Sequence, residues 1–199
     1  MPGEERMRPA APAADTRLSY DDFLLFPDDG KRHEIIDGVH YVTPSPRLRH
    51  QDLVGRLHFE FLLYLREHPE AGRVFVAPVD VVMSFYDVVV PDLLFIAGDQ
   101  AGIMTEKNIQ GAPALVIEVL SKRTRKRDAQ IKRRLFEQAG VREYWLVDPE
   151  LDTVQVFRPS AEGRLVRMDE LGAEDGGTLT TPLLPGCAID ILTLFRPTL

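Results

Sequence analysis

The sequence contains very little cysteine: Cys187 is the only one among 199 residues. A single cysteine excludes an internal disulfide and a cysteine-rich zinc site. It is typical of a protein from the reducing cytoplasm, which is where we expect this one. No apolar run reaches the about 18 residues that a membrane span requires, so we expect no membrane association. The first residues also lack the apolar stretch that a secretory signal contains.

The chain also contains fewer basic than acidic residues. The chain has 24 Lys and Arg against 31 Asp and Glu, and its formal net charge is −7. This balance excludes a uniformly basic surface of the kind that coats nucleic acid. Eight of the 24 Lys and Arg nevertheless fall within residues 122–134. Such a segment is either a local anion-binding site or a solvated helix face.

The order of apolar patterns predicts one α/β domain. Residues 1–18, rich in Pro and Ala, are predicted to be a flexible tail, and residues 19–199 a single domain. A strand, a helix and a strand over 114–148 form a parallel βαβ unit, so we expect a mixed β-sheet flanked by helices. The predicted elements are a hairpin around Asp37-Gly38, helices over 47–68 and 124–139, and strands over 73–77, 80–85, 88–96, 114–120, 142–148, 153–158, 164–168 and 187–189.

Two carboxylates stand where core strands should be apolar, Asp92 in VVVPDLLFI and Glu118 in ALVIEVL. Burying an unpaired carboxylate costs several kcal/mol, so something must compensate each charge. One interpretation is a buried ion pair in which Lys132 or Arg134 neutralises Glu118. The other is a Mg²⁺ site, because a hard divalent cation takes one or two carboxylates and acts on phosphates.

Pro91-Asp92, followed by Glu118-Val119-Leu120-Ser121, resembles the motif of the PD-(D/E)XK nuclease superfamily. From about residue 19 to the C-terminus, the chain is similar to one branch, the Uma-type putative restriction endonucleases. The resemblance implies a restriction-endonuclease-like core and a metal-dependent phosphodiesterase site that acts on DNA. The similar blocks include HEIIDG (33–38), RHQDLVGRLHFEFLLYL (49–65), TEKNIQGAPALVIEVLS (105–121), KRRLFEQAGVREYWLVDP (132–149) and TPLLPGCAIDI (181–191).

The resemblance assigns roles to individual residues. It implies that Asp92, Glu118 and the main-chain carbonyl of Val119 bind Mg²⁺, which Mn²⁺ could replace. The superfamily places a lysine two residues after the second acid, but this chain has Leu120 there. The resemblance to the Uma-type branch implies a lysine displaced onto the following helix, at Lys132, where it would orient or deprotonate the attacking water. Lys122 is the alternative.

Further residues are candidates for the same site. Glu34 in HEIIDG is either an additional acid near the metal or a surface residue at a strand edge. His50 opens the long helix, and it either contacts phosphate or assists proton transfer, or is an ordinary surface residue. The basic segment is expected to hold the flanking phosphates of the nucleic acid through Lys122, Arg123, Arg125, Lys126 and Arg127.

The sequence thus favours a metal-dependent endonuclease that hydrolyses phosphodiester bonds of DNA, and it leaves a homodimer open. One alternative is a catalytically inert nucleic-acid-binding or scaffold protein on a nuclease fold. The displaced lysine favours that alternative, and the intact pair of Asp92 and Glu118 opposes it. The other alternative is a small-molecule phosphoesterase, which the basic segment makes less favoured than an enzyme for a polyanion.

Overall fold

The computed structural model describes residues 17–43 and 45–196, so the predicted tail over residues 1–18 lies almost entirely outside the described residues. The helical segments are α1 (Tyr20–Phe23), α2 (Leu48–Glu67), a 3₁₀ helix (Gly98–Ile103), a π-helical turn (Arg127–Lys132), α3 (Arg133–Ala139) and α4 (Ile191–Phe195). The strands are β1 (Arg32–Ile36), β2 (Val39–Thr43), β3 (Gly72–Val76), β4 (Val81–Ser84), β5 (Asp87–Val89), β6 (Leu93–Ala97), β7 (Ile109–Gln110), β8 (Leu115–Val119), β9 (Glu143–Asp148), β10 (Thr153–Pro159), β11 (Leu165–Gly172), β12 (Thr178–Thr180) and β13 (Ala188–Asp190).

A six-stranded sheet in the order β11-β10-β9-β8-β6-β3 forms the centre of the fold. Strand β8 runs antiparallel to β6 and parallel to β9, as the predicted βαβ unit requires. All five residues of β8 are buried, because α2 and α4 pack on one face of the sheet and α3 on the other. A five-stranded sheet, β2-β1-β5-β4-β7, packs on the same side as α3. The predicted α/β class, a mixed sheet flanked by helices, is confirmed.

Strands β1 and β2 form the hairpin that the sequence predicted. Asp37 and Gly38 at its turn have φ angles of 50° and 71°, the left-handed values that a two-residue hairpin turn needs. The long helix α2 also follows the prediction, because the apolar side chains repeat along one face and pack into the core. No helix within the described part of the chain is both long enough and apolar enough to cross a membrane.

The predicted strand over residues 88–96 is wrong in one respect: it is two strands in two sheets. Strand β5 belongs to the five-stranded sheet and β6 to the six-stranded sheet. Pro91 has no N–H to donate to a β-ladder, so pairing breaks there and the chain crosses from one sheet to the other. Asp92 therefore stands immediately before β6 rather than inside a strand.

The predicted helix over residues 124–139 contains a π-helical turn over Arg127–Lys132 before α3 begins. Ile131 precedes the buried Leu135 by four residues, a spacing that predicts an apolar helix face, but Ile131 is 39% exposed, whereas Asp128 and Lys132 are only 2% exposed each. The wider turn shifts which residues point towards the sheet. π-helical turns occur frequently at functional sites, and this one brings two charged side chains into the interior.

Candidate active site

A cavity of about 380 Å³ opens where the start of α2, strand β1, the end of β8 and the π-helical turn meet. Four buried acidic side chains line it: Glu34 from β1, Asp92 from the crossing between the sheets, Glu118 from β8 and Asp128 from the π-helical turn. Each of them is at most 3% exposed. Elements far apart in the sequence thus bring four carboxylates to one cleft, which we call the acidic cleft.

Asp92 is held by three donors. Arg32 Nη1 donates to Oδ1 at 2.6 Å, and Oδ2 accepts from the Val119 N–H at 2.9 Å and lies 3.0 Å from His50 Nε2. Burial raises the pKa of Asp92, but the hydrogen bond to His50 and the charge of Arg32 outweigh it, and the pKa is lowered. Asp92 is therefore a carboxylate at neutral pH.

Lys132 is the shared counter-ion of two acids. Its Nζ lies 2.6 Å from Glu118 Oε1 and 2.7 Å from Glu34 Oε1, and Glu34 Oε1 also accepts the N–H of Val90 at 3.0 Å. Burial lowers the pKa of Lys132, but the charges of Glu118 and Glu34 outweigh it, and the pKa is raised. Lys132 is therefore an ammonium, in direct contact with the second acid of the predicted motif.

Asp128 and Arg127 complete the cleft. Arg127 Nη2 donates to Thr43 Oγ1 at 2.8 Å and lies 3.4 Å from Glu34 Oε2. Asp128 Oδ1 is buried and accepts no hydrogen bond from any described residue, and burial raises the pKa of this side chain. The sequence interpretation did not include Asp128 in the site, although its spacing of four residues from Lys132 was a visible signal.

Acidic charge exceeds basic charge in the interior of the cleft. Four buried carboxylates there face three cations, Arg32, Arg127 and Lys132. More exposed charged side chains also line the cavity: Arg47, Arg49, Lys122, Arg123 and Glu150. The pKa of Glu118 is raised well above its usual value, first by burial and also by the charges of Asp92 and Asp128, which Lys132 only partly offsets. The interior of the cleft is therefore short of positive charge, and Glu118 is the acid that this shortage affects most.

The donor atoms fit a hard divalent cation. Within residues 17–43 and 45–196, no group of three or more His, Cys, Asp or Glu side chains is arranged to hold a metal ion. Mg²⁺, however, is commonly bound by only one or two carboxylates and keeps several waters. Within the described part of the chain, the buried oxygens Glu34 Oε2 and Asp128 Oδ1 accept no hydrogen bond, and the guanidinium of Arg127 approaches them only to 3.4 and 3.6 Å. The excess of acid and these two oxygens are features that an added cation would satisfy.

The predicted basic segment does not act as one surface. Arg125 donates from its two Nη atoms to the two carboxylate oxygens of Asp148, one of them at 3.0 Å. Lys122 Nζ lies 3.4 Å from Glu150 Oε1, and the Lys122 side chain is 71% exposed. Lys132 and Arg127 lie deeper in the cavity that Lys122 and Arg123 also line. The remaining two predicted phosphate contacts are exposed, Arg123 and Lys126. Each predicted contact to nucleic acid stays a prediction.

The structure decides between some of the alternatives. Glu34 and His50 are 2% and 8% exposed, so interpreting them as surface residues is wrong. Lys132, not the exposed Arg134, is the partner of Glu118. The sequence interpretation missed Arg32. It stands two residues before Glu34 in the same strand, and alternation along a strand puts such residues on one face, which is the signal that could have found it.

Comparison with known proteins agrees with this architecture. Residues 20–192 match the family model Uma2, described as "Putative restriction endonuclease". A solved structure described as a putative nuclease belonging to DUF820, from Anabaena variabilis, superposes with a TM-score of 0.73 at 21% sequence identity. The match covers 89% of this chain and 97% of that one, and at this identity it shows a shared fold. No curated protein matches the chain.

Proposed function

The chain belongs to the Uma2 family of putative restriction endonucleases, and on that premise we propose that it is a metal-dependent endonuclease that hydrolyses phosphodiester bonds of DNA. The observation that carries this proposal is the acidic cleft. Asp92 and Glu118 meet there beside a buried lysine ammonium, 2.6 Å from Glu118. A buried set of this composition is costly for folding alone, which supports a role in chemistry.

Asp92 and Glu118 are the residues that would hold Mg²⁺ or Mn²⁺, with the main chain of Val119 beside them. When bound, the cation supplies positive charge against the charge that develops on the phosphoryl oxygens and lowers the pKa of a bound water. Lys132 donates hydrogen bonds from the same place. Because its pKa is raised, it keeps its proton, so it orients the attacking water and stabilises phosphoryl oxygens rather than abstracting a proton.

The groups at the mouth of the cleft favour binding of an anionic substrate. Helix α2 begins there, its first turn contains no acidic residue, and its N-cap residue Arg47 makes no capping side-chain bond. The free N–H groups and the dipole of such a helix end favour phosphate. Arg49 and Arg123 also line the cavity. A polymer with several phosphates can use these groups together, which favours a nucleic acid over a small phosphoester.

A cleavage assay tests the proposal. Plasmid DNA, single-stranded DNA and RNA are incubated with the protein and Mg²⁺ or Mn²⁺, and EDTA provides the metal-free control. We expect Glu118→Gln to lower the cleavage rate by orders of magnitude while its circular dichroism spectrum is unchanged. The exposed Glu106→Gln is the matched control and should cleave normally. If the protein binds DNA but cleaves it with neither Mg²⁺ nor Mn²⁺, the alternative of a catalytically inert nucleic-acid-binding or scaffold protein is supported instead.

Separate kinetics of two lysine variants test the assignment of the lysine. Lys132→Met should lower kcat by about 10²–10³-fold at saturating DNA, the usual cost of losing one preorganised donor. Lys122→Ala should weaken DNA binding and recover a normal kcat at saturation, because this exposed side chain lies at the rim. The reverse pattern would make Lys122 the catalytic lysine.

A further inference from the structure

Arg32 lies where a cation bound to Asp92 would need to be. Its Nη1 is 2.6 Å from Asp92 Oδ1 and 3.3 Å from the carbonyl oxygen of Val90. The side chain is 19% exposed, whereas that of Asp92 is 4% exposed. Arg32 is therefore the more solvent-accessible partner of this pair, and its guanidinium occupies the contact to Oδ1.

The two oxygens of Asp92 differ in how firmly they are held. Oδ2 contacts the main-chain N–H of Val119 and the ring of His50, groups fixed by strand β8 and helix α2. Oδ1 contacts the guanidinium of Arg32, which lies at the end of a long, flexible side chain. A divalent cation that binds Asp92 must therefore compete with Arg32 for Oδ1, while the contacts to Oδ2 stay in place.

A released Arg32 has space and needs a new anion. It lines both the acidic cleft and a neighbouring cavity of about 510 Å³, and Asp92 lines both as well. The guanidinium cannot lose its proton at any ordinary pH. Once it has left Asp92, its positive charge is therefore best stabilised by another anion. The planar set of N–H donors of a guanidinium matches the geometry of phosphate oxygens. A nucleic acid bound in the acidic cleft would bring phosphate oxygens close to Arg32.

We propose that Arg32 is an exchangeable counter-ion, which leaves Asp92 when a divalent cation binds and then contacts a phosphate of the nucleic acid. This inference rests on the proposed function. It means that the cation and the nucleic acid bind cooperatively. A bound cation releases Arg32 to contact a phosphate, and a bound phosphate holds Arg32 away from Asp92, which leaves Asp92 free for the cation. Linkage requires the coupling to be reciprocal, so it is measurable from either ligand.

The first measurement is Mn²⁺ binding without nucleic acid, by titration calorimetry. Arg32→Gln is compared with the wild-type chain and with Arg47→Gln. Arg47 is an exposed arginine of the same cavity, so the two variants lose the same charge. We expect Arg32→Gln to bind Mn²⁺ about tenfold more tightly than Arg47→Gln does, within the usual range of coupling factors. Equal affinities for the two variants would overturn the inference.

The second measurement is the coupling to DNA. The affinity for a short duplex is determined with and without Ca²⁺, and a gel shows that the duplex stays intact. Ca²⁺ should strengthen DNA binding of the wild-type chain and of Arg47→Gln by about the same factor. In Arg32→Gln this factor should be clearly smaller, because only the direct attraction between the cation and the DNA phosphates remains. A factor that is unchanged in Arg32→Gln would overturn the inference.

The outcomes separate this inference from the proposed function. If the wild-type chain binds Mn²⁺ but Arg32→Gln behaves as Arg47→Gln does, only the exchange fails. If neither the wild-type chain nor Arg32→Gln binds Mn²⁺, the metal-dependent function and the exchange both fail. Urea unfolding shows whether Arg32→Gln is folded. Should it be unfolded, Arg32→Met keeps the packing of the side-chain stem and carries the same expectations.

Discussion

Replacing Lys132 by methionine should strongly destabilise the protein in the absence of metal. Methionine has a similar length and leaves no cavity, so the variant removes the charge with little change of packing. Glu118 Oε1 and Glu34 Oε1 lie 2.6 and 2.7 Å from the Nζ that is lost. Two buried carboxylates would remain without their shared ammonium. Removing one partner of a buried ion pair costs about 3–5 kcal/mol of the free energy of unfolding.

A second variant shows whether this cost is electrostatic. Glu118→Gln keeps the shape of the side chain and removes the acid whose pKa is raised by burial and by the neighbouring acids. Alone it should change the free energy of unfolding by about 1 kcal/mol or less, because Lys132 keeps its ion pair with Glu34 and no buried charge is left without a partner. Combined with Lys132→Met it should recover about 1–3 kcal/mol, because residues in direct contact are coupled by this amount.

The assay is urea unfolding at pH 7.5 with EDTA, followed by circular dichroism, for the wild-type chain, the two single variants and the double variant. Lys122→Met is the matched control, since its side chain is 71% exposed and should change stability by about 0.5 kcal/mol at most. A loss below about 1 kcal/mol for Lys132→Met, or no recovery in the double variant, would refute the electrostatic account.

Two further predictions concern the basic segment. Arg123→Ala together with Lys126→Ala should reduce the slope of log K for DNA against log salt concentration by up to about 2 units, about one per lost phosphate contact; an unchanged slope would make these residues a solvated surface. Asp148→Asn should lower stability at neutral pH because Asp148 binds Arg125. Burial raises the pKa of Asp148, but Arg125 and main-chain donors outweigh it, and the pKa is lowered. The stabilisation is therefore present above the unfolded pKa and is lost as pH falls through the folded pKa, so unfolding curves of the variant and the wild-type chain should converge below about pH 4. A stability difference that is the same at pH 6 and pH 3 would contradict this account.

The sequence alone determined the local elements and the motif. Alternation and apolar periodicity predicted the hairpin at Asp37-Gly38, helix α2 and the buried strand β8, because these features depend on neighbouring residues. Two acids in apolar runs identified Asp92 and Glu118 as exceptional, since burying a carboxylate is costly wherever it occurs. The break at Pro91 was not predicted: the sequence pattern indicates one strand over residues 88–96, and only the structure divides it into β5 and β6, which belong to different sheets.

Only the tertiary structure decided which charges meet. Arg32 and Asp92 are 60 residues apart, and their ion pair follows from the pairing of β1 with β5, the strand that leads through Pro91 to Asp92. The π-helical turn decided that Lys132 and Asp128 point inward while Ile131 faces solvent, because a widened turn changes the angular position of each residue. Side-chain contacts between distant elements depend on sheet order and crossing points, and the periodicity of a single segment contains no information about either.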